Sequence, residues 1–588
     1  SRSKAAPEVA EERAVSKDKP ARSDGKVDRV AAGRQGQDGE GASPRNGAKR
    51  RARRRGRNGK PAAEEDIAVL LAGKQREISV SEFFAKNRHL LGFDNPAKAL
   101  LTTVKEAVDN ALDACEEAKI LPEIRVTVFQ LAEDRFRVVV EDNGPGIVRN
   151  QVPKIFGKLL YGSKFHTLKQ SRGQQGIGIS AAGMYGLLTT GKPVVITSRT
   201  SARTAARHYE LAINTKKNAP DVLAESEVEW DKPHGTRVAI VLQGTYKKGR
   251  HSIDGYLKQV SLTNPHARIV YDAPGKDGES ETIVYDRASE TLPVESREIR
   301  PHPHGVELGV LLKMLQDTPA RNIQAFLQNE FSRVGKKVIT DLFAELERNG
   351  ISITPRTRPR TLATRDAEAL HQALGKVKIM APPTDCLSPV GEELLLKALE
   401  HRVDADFYST VTRPPAVYRG NPFQVEVGLA YGGGLPADNL IDLYRYANRV
   451  PLQYQRGACA ITKAVTELPW RNYRIAQSRG ALPAAPMILV VHIASVWVPF
   501  TSESKEAVAH YPEILKEIRL ALQECGRRVA LHIGRHRRMA EEHKKRTYIQ
   551  KYIPHIGIAL QEILGLSDRA REKTVETLTD VLERSRKM

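Results

Sequence analysis

The sequence predicts an α/β (α+β) protein of several domains, with a basic N-terminal arm, two α/β regions and a small all-helical module between them. Three observations carry this reading. Helix-period and strand-like apolar runs alternate over residues 79–242, and a purely helical period follows from Val306 to about Leu374. After the break MAPPTDCLSP (380–389) a second mixed stretch begins, which holds the apolar run MILVVHIASVWV. A chain of 588 residues has room for about three to four such domains. The four cysteines (Cys115, Cys386, Cys459, Cys525) lie far apart with no CxxC pair. That excludes a zinc ribbon or a disulfide scaffold as the organising device and favours a reducing compartment.

The arm, residues 1–66, holds much of the charge. Residues 1–60 contain 18 Lys and Arg against 8 Asp and Glu, out of a chain total of +22. Between Arg45 and Lys60 there are nine basic residues and no acid. With no apolar period to bury, this segment is expected to be disordered. Such a tail binds phosphates without reading sequence, is attracted equally to an anionic membrane surface, or serves only solubility. No apolar stretch of a secretory signal follows Ser1. The one tempting membrane span, Ala481–Phe500, contains Pro483, Pro486, His492 and Pro499 around a strand-length core. It is predicted to be buried strand in a parallel or mixed sheet.

The elements follow in order. A helix starts near Ser79–Phe84, with Ser79 or Ser81 as N-cap. A second runs from Pro96 to Lys119, with Leu101, Val104, Val108, Leu112 and Cys115 at spacings of three and four, and Pro122 closes it. Strands are expected at Ile124–Phe129 and Phe136–Val140 around a polar turn, and again at 193–199, 207–213 and 236–242. RPHPHG (300–305) interrupts the pattern, and Leu308, Leu311, Leu315, Ile323, Phe326 and Leu327 then mark the helical module. A charged helix is expected from Asp568 to Met588. The implied domains are 67–298, 299–385 and 386–588.

Three pieces carry chemistry. TTVKEAVDNALDA (102–114) places Glu106 and Asn110 one turn apart on a helix face, able to supply a base and a metal ligand. EDNGPGI (141–147) puts Asp142 at a strand end, beside glycines that let backbone approach a ligand closely. QSRGQQGIGISAAGMYG (170–186) runs through Gly173, Gly176 and Gly178 into a helix start, a place for phosphate. It is neither a Walker A loop nor a Rossmann fingerprint. Taken singly, each also reads as a wet helix face, an ordinary turn or a flexible loop.

In this order the three pieces resemble the GHKL ATPase site of the gyrase, Hsp90, histidine-kinase and MutL superfamily. The strings FFAKNRHLLGFDNPAKALLTTVKEAVDNALDA, LYGSKFHTLKQSRGQQGIGISAAG and VPFTSESKEAVA narrow the resemblance to the B subunits of type IIB DNA topoisomerases, over residues 78 to the late 560s. The resemblance implies a GHKL (Bergerat) ATPase domain, a helix-two-turns-helix module and a transducer domain. It implies ATP and Mg²⁺, with Glu106 activating water, Asn110 holding the metal and Asp142 accepting the adenine amino group. Gly144 and Gly146 would fit around the base, and Lys164 with Gly173, Gln174, Gln175, Gly176, Ile177 and Gly178 would cover the phosphates. Thr236 of HGT would complete the pocket, and Lys505 would reach the γ-phosphate as the catalytic switch lysine.

The implied partners are double-stranded DNA, a topoisomerase VI A subunit that cuts the strands, and a second copy of this chain joined through its ATPase domain in an A2B2 heterotetramer. No membrane is implied, and a nucleoid-associated cytoplasmic location, or a nuclear one in a eukaryote, is expected. Arg321, Arg333, Lys336 and Lys337 of the helical module are candidate phosphate contacts or ordinary surface cations. So is HKKRTYIQKYIP (543–554). A DNA-binding scaffold using nucleotide only as a switch, and a repair ATPase, are the alternatives. The helical module between the α/β regions weighs against the latter.

Overall fold

The computed structural model describes residues 71–584, except 73, 74, 76, 166, 174, 175, 250, 276–279 and 503. The basic arm, Gln174, Gln175 and the end of the expected closing helix lie outside the described residues. Helix α1 (Val80–Lys86) starts where the Ser79 hydroxyl accepts the Glu82 N–H. Helix α2 (Pro96–Glu117) starts with Asn95 accepting the Lys98 N–H and with proline in its first turn, and stops two residues before the expected end. Leu100, Val104, Val108 and Leu112 point from α2 into the first core. Each such burial is worth about 1.5–3 kcal/mol, enough to fix the opposite face of α2 as a rigid platform.

That platform lies on an eight-stranded sheet. The hairpin of β1 (Glu123–Ala132) and β2 (Arg135–Asp142) is longer than the predicted runs and turns on Glu133 and Asp134. After helix α3 (Val152–Gly157), helix α4 (Gly178–Thr190) packs small residues on the sheet. A Cβ at Gly183 would come within 2.6 Å of Val194, and one at Gly186 within 2.7 Å of the Val241 carbonyl oxygen. Strands β3 (Val194–Arg199), β4 (Ala206–Asn214), β5 (Ala219–Val228) and β6 (Gly235–Gln243) follow, then helix α5 (Ile253–Thr263), β7 (Arg268–Pro274) and β8 (Ser280–Tyr285). The order is β5-β4-β3-β6-β2-β1-β7-β8, antiparallel except where β1 pairs with β7. The edge strands β5 and β8 escape the sequence reading because both are largely exposed and lack an apolar alternation.

The helical module comprises α6 (Leu308–Asp317), α7 (Ile323–Glu330), α8 (Lys336–Arg348) and α9 (Thr364–Lys376) around Leu311, Phe326, Leu327, Leu342 and Leu370. Arg321, Arg333, Lys336 and Lys337 are all exposed. Helix α10 (Glu392–Arg402) leads into β9 (Phe407–Thr412), β10 (Ala416–Tyr418), β11 (Asn421–Tyr431), β12 (Asp442–Ala447), β13 (Val450–Pro451), helix α11 (Ala460–Glu467) and β14 (Met487–Ser495). Every residue of β14 is buried, and it pairs antiparallel with β11 and parallel with β12, the mixed sheet expected of this apolar run. Helix α12 (Pro512–Leu564) spans 53 residues and folds back through Gly565 on α13 (Asp568–Arg584). Among the described residues no helix is long and apolar enough to cross a membrane.

Candidate active site

Helix α2, the ends of β2 and β6, the segment from Tyr161 into α4, and the loop carrying Lys505 enclose a cavity of about 370 Å³. Glu106 and Asn110 both line it. Asp109, between them in sequence, turns the other way: its Oδ1 accepts the Tyr256 hydroxyl at 3.1 Å, and burial pushes its pKa up to about 7. The spacing of four therefore keeps Glu106 and Asn110 together on the cavity face, while Asp109, about 100° round the helix from Asn110, is left to the core.

Gly178 opens α4 against Glu106. A Cβ at 178 would lie 1.8 Å from Glu106 Oε2, so only glycine leaves the carboxylate its place over the helix start. Ile177, the N-cap, makes no side-chain hydrogen bond, and residues 176–181 line the cavity. Unsatisfied N–H groups and the positive end of a 13-residue helix are thus offered to an anion.

Asp142 ends β2. Its Oδ1 accepts the N–H groups of Gly144 at 2.8 Å and Thr236 at 3.2 Å. Burial pushes its pKa up to about 6 in spite of those two bonds. Gly146 has φ +68°, and a Cβ there would stand 2.0 Å from the Arg199 carbonyl oxygen. Gly144 does not line the cavity. It lies behind Asp142, and its own carbonyl oxygen is 2.8 Å from Nδ1 of His234, so it shapes the carboxylate from outside. Thr236 does line the cavity, with its hydroxyl 3.2 Å from that of Ser198.

Gly173, Gly176 and Ile177 line the opposite wall. Lys164 lines it too, but its amine is held by Asp113 at 2.6 Å and Glu117 at 2.9 Å. Burial works against its charge, and these carboxylates still raise its pKa above the ordinary lysine value. Lys505 reaches the cavity from 399 residues beyond Glu106, on a turn in which it adopts φ +53°. Its Nζ makes one long bond, 3.4 Å, to the Arg172 carbonyl oxygen, and burial lowers its pKa while the Glu106 charge opposes that shift. The next residue, Glu506, is 2.5 Å from Lys98 of α2, which clamps the turn to the platform.

Sequence reasoning took the 170–178 segment for its glycines and missed Arg172. This buried guanidinium bonds Asp113 at 2.6 Å, Glu116 at 2.6 and 2.9 Å, and Asn264 at 2.6 Å. Burial alone would raise the Glu116 carboxyl, but Arg172, His266 and Arg449 around it hold it well below the usual range. The spacing puts Asp113 and Glu116 on one face of the helix after Asn110, but it does not name the cation that pairs with them, 56 residues on from Glu116.

Among the described residues no group of three or more His, Cys, Asp or Glu side chains is placed to hold a metal ion. A cation here would draw on one amide oxygen, that of Asn110, with phosphates and water as its other ligands. Mg²⁺ in nucleotide sites takes few protein oxygens and leaves its other places to phosphates and water, so an all-oxygen site with one protein ligand fits it.

Residues 95–243 match the family described as histidine kinase-, DNA gyrase B- and HSP90-like ATPase, and residues 382–545 match the transducer of the topoisomerase VI B subunit. The chain is 49% identical over 499 residues to the B subunit of type 2 DNA topoisomerase 6 from Methanococcoides burtonii, covering 85% of this chain and 79% of that one. It is 49% identical over 496 residues to the protein of the same name from Archaeoglobus fulgidus, covering 84% and 80%. It is 36% identical to that of Natronomonas pharaonis, covering 86% and 85%.

Proposed function

The chain belongs to the family of type 2 DNA topoisomerase 6 B subunits, and from that premise we propose a role for each residue of its cavity. It is the ATP-driven member of a type IIB topoisomerase and works with an A subunit. Asp142 takes the adenine amino group on the carboxylate oxygen left over from Gly144 and Thr236, an acceptor that guanine's carbonyl cannot satisfy. Gly146, packed directly on the Arg199 carbonyl at the end of β3, holds the loop after β2 back so that the base can lie beside it. Glu106 takes a proton from the attacking water. The start of α4 and Lys505 meet the charge that develops on the transferred phosphoryl group, which needs positioning and neutralisation more than covalent help. Asn110 would hold Mg²⁺, which supplies further neutralisation of the phosphates. Lys164, Gly173, Gly176, Ile177 and Gly178, which line the cavity, face them.

One observation supports this reading above the others: Lys505 of the second α/β region lines the same cavity as Glu106 of the first. A site completed across two regions ties their arrangement to the nucleotide it holds. ATP then closes two copies of the chain around one DNA segment, within an A2B2 assembly in the nucleoid or nucleus, and hydrolysis reopens them after passage through the break made by the A subunit. The exposed cations of α8 and of the turn before it are phosphate contacts in this scheme.

The direct test is relaxation of supercoiled plasmid by this chain, a candidate A subunit and ATP, each omitted in turn. Relaxation is expected only with all three, and relaxation by this chain alone would refute the two-subunit scheme. Glu106→Ala should still bind ATP while hydrolysis falls by about 10²–10⁴-fold, the usual contribution of a positioned base. Wild-type hydrolysis by that variant would remove Glu106 from the role.

A further inference from the structure

Residues 170–172 lead into the phosphate segment, and they are bound on two sides. On one side Arg172 is locked to Asp113 and Glu116 of α2, the helix that carries Glu106 and Asn110. On the other side the chain returning from the helical module and a turn of the second sheet hold Gln170 and Ser171. The Gln170 side chain donates to the Ser388 carbonyl oxygen at 2.8 Å and accepts the Ser388 N–H at 2.7 Å. The Asn448 amide donates to the carbonyl oxygens of Ser171 at 3.0 Å and Ser495 at 2.9 Å, and accepts the Ser495 N–H at 2.9 Å.

The turn that presents Asn448 is unusual. It is the two-residue hairpin loop between β12 and β13, which needs both residues left-handed: Asn448 (φ +48°) accepts this readily, but Arg449 (φ +68°) stands where glycine is usual and keeps it only where the surroundings over-determine it. Here they do. The Arg449 N–H donates to His492 Nε2 at 2.9 Å, and His492 Nδ1 is 2.7 Å from the buried carboxylate of Glu426. The Arg449 guanidinium, almost fully buried, grips the Ser388 carbonyl at 2.9 Å, the Ser388 hydroxyl at 2.7 Å and the Pro389 carbonyl at 3.0 Å. Its ionic partner is Glu116, at 3.6 Å, the carboxylate that Arg172 already engages. Its Nε has no hydrogen-bond partner. This charge is therefore only partly compensated, and Glu116 is shared between the phosphate segment and the second sheet.

We propose that Arg449 is a positioning residue for this ATPase. Through Glu116 and Ser388 it ties the phosphate segment to the β12–β13 turn and β14, so that occupancy of the nucleotide cavity sets the disposition of the second α/β region. The inference rests on the ATP-driven function above. It assigns the coupling to a buried joint distinct from the Lys505 contact. Removing the Arg449 side chain leaves Glu116 with Arg172 and His266, so the cavity wall keeps its own anchors while the guanidinium's share of the link to the second sheet is lost.

The test uses the full chain with its A subunit, and compares wild type with Arg449→Met, Arg449→Lys and Asn448→Ala. Affinity for a non-hydrolysable ATP analogue should stay within about twofold in R449M, while DNA-stimulated hydrolysis and plasmid relaxation fall by about tenfold or more, within the usual span of coupling between sites. R449K keeps the charge without the planar fork and should lie between the two. Asn448→Ala, which cuts the same joint from the Ser171 side, should repeat the R449M pattern and stands in if R449M does not fold. Hydrogen exchange of residues 485–495 should slow on analogue binding in wild type and not in R449M.

Unchanged DNA stimulation and unchanged exchange protection in the variants would overturn the proposal. So would an equal fall of affinity and hydrolysis, the mark of a merely structural part. Absence of ATP hydrolysis in the wild-type arm would instead refute the functional reading, and the exchange comparison would still decide the joint.

Discussion

Gly178→Ala isolates the position of the Glu106 carboxylate from its chemistry. The backbone at 178 is ordinary helix, so alanine is tolerated there and gains up to about 1 kcal/mol of helix propensity. Its Cβ, however, would lie 1.8 Å from Glu106 Oε2, where ordinary contact begins at 3.4 Å. The carboxylate must therefore retreat by about 1.6 Å, and because it is the free end of a flexible side chain it can do so cheaply. A misplacement of about 1 Å at a reacting group costs on the order of 10²-fold in rate. The expected variant unfolds in denaturant within about 1 kcal/mol of wild type and binds an ATP analogue normally. It should hydrolyse ATP about 100-fold more slowly. Steady-state hydrolysis with DNA and the A subunit measures the loss. Adding Glu106→Gln should then change little, since both substitutions act on one group. Wild-type turnover by G178A, or full additivity in the double variant, would refute the claim that Glu106 works from this spot.

As the proposed adenine acceptor, Asp142 should make nucleotide affinity pH-dependent in a defined direction. Burial holds its pKa up to about 6 in the free protein, and an adenine amino group binds only the carboxylate. Affinity should be full above about pH 6 and fall as the pH drops through it, by about tenfold per unit. Calorimetric titration should show that slope flattened in Asp142→Asn, and an equal slope in the variant would exclude Asp142 as the acceptor. Gly146→Ala meets two obstacles that no rotamer relieves, a left-handed φ and backbone 2.0 Å from the new Cβ. The expected loss is about 1–3 kcal/mol of stability together with ATP binding, read by thermal unfolding and analogue titration.

Most of the fold and of the cavity was legible because the signals were local. The period of α2 fixed its apolar face, and with it the direction in which Glu106 and Asn110 point. The run in β14 was buried on both sides and so read as continuous apolar sequence. Edge strands gave no such signal, because β5 and β8 spend their side chains on solvent. Arg172, Arg449, Glu116 and His266 were illegible for a different reason. Their partners lie 56 to 333 residues apart in sequence, and nothing in the spacing of a lone arginine reveals a carboxylate on another element. Lys505 became legible only through the family resemblance of its loop.

The illegible residues are also the ones whose presence needs an argument beyond stability. A buried set of charges seldom holds a structure better than apolar side chains of the same volume, because desolvation offsets the attraction. Asp113, Glu116, Lys164, Arg172 and Arg449 nevertheless crowd one side of the nucleotide cavity. Charges there gain what leucines could not supply, sensitivity to the arrival of a polyanion. In the role proposed for Lys164, triphosphate would compete with Asp113 and Glu117 for the same amine. A carboxylate released by that exchange would strengthen its hold on Arg172, whose carbonyl oxygen faces Lys505 and whose partner Glu116 also faces Arg449. On the proposed roles, the same few charges that weaken a core as structure would make it answer to a ligand, and would do so at the seam between the two α/β regions.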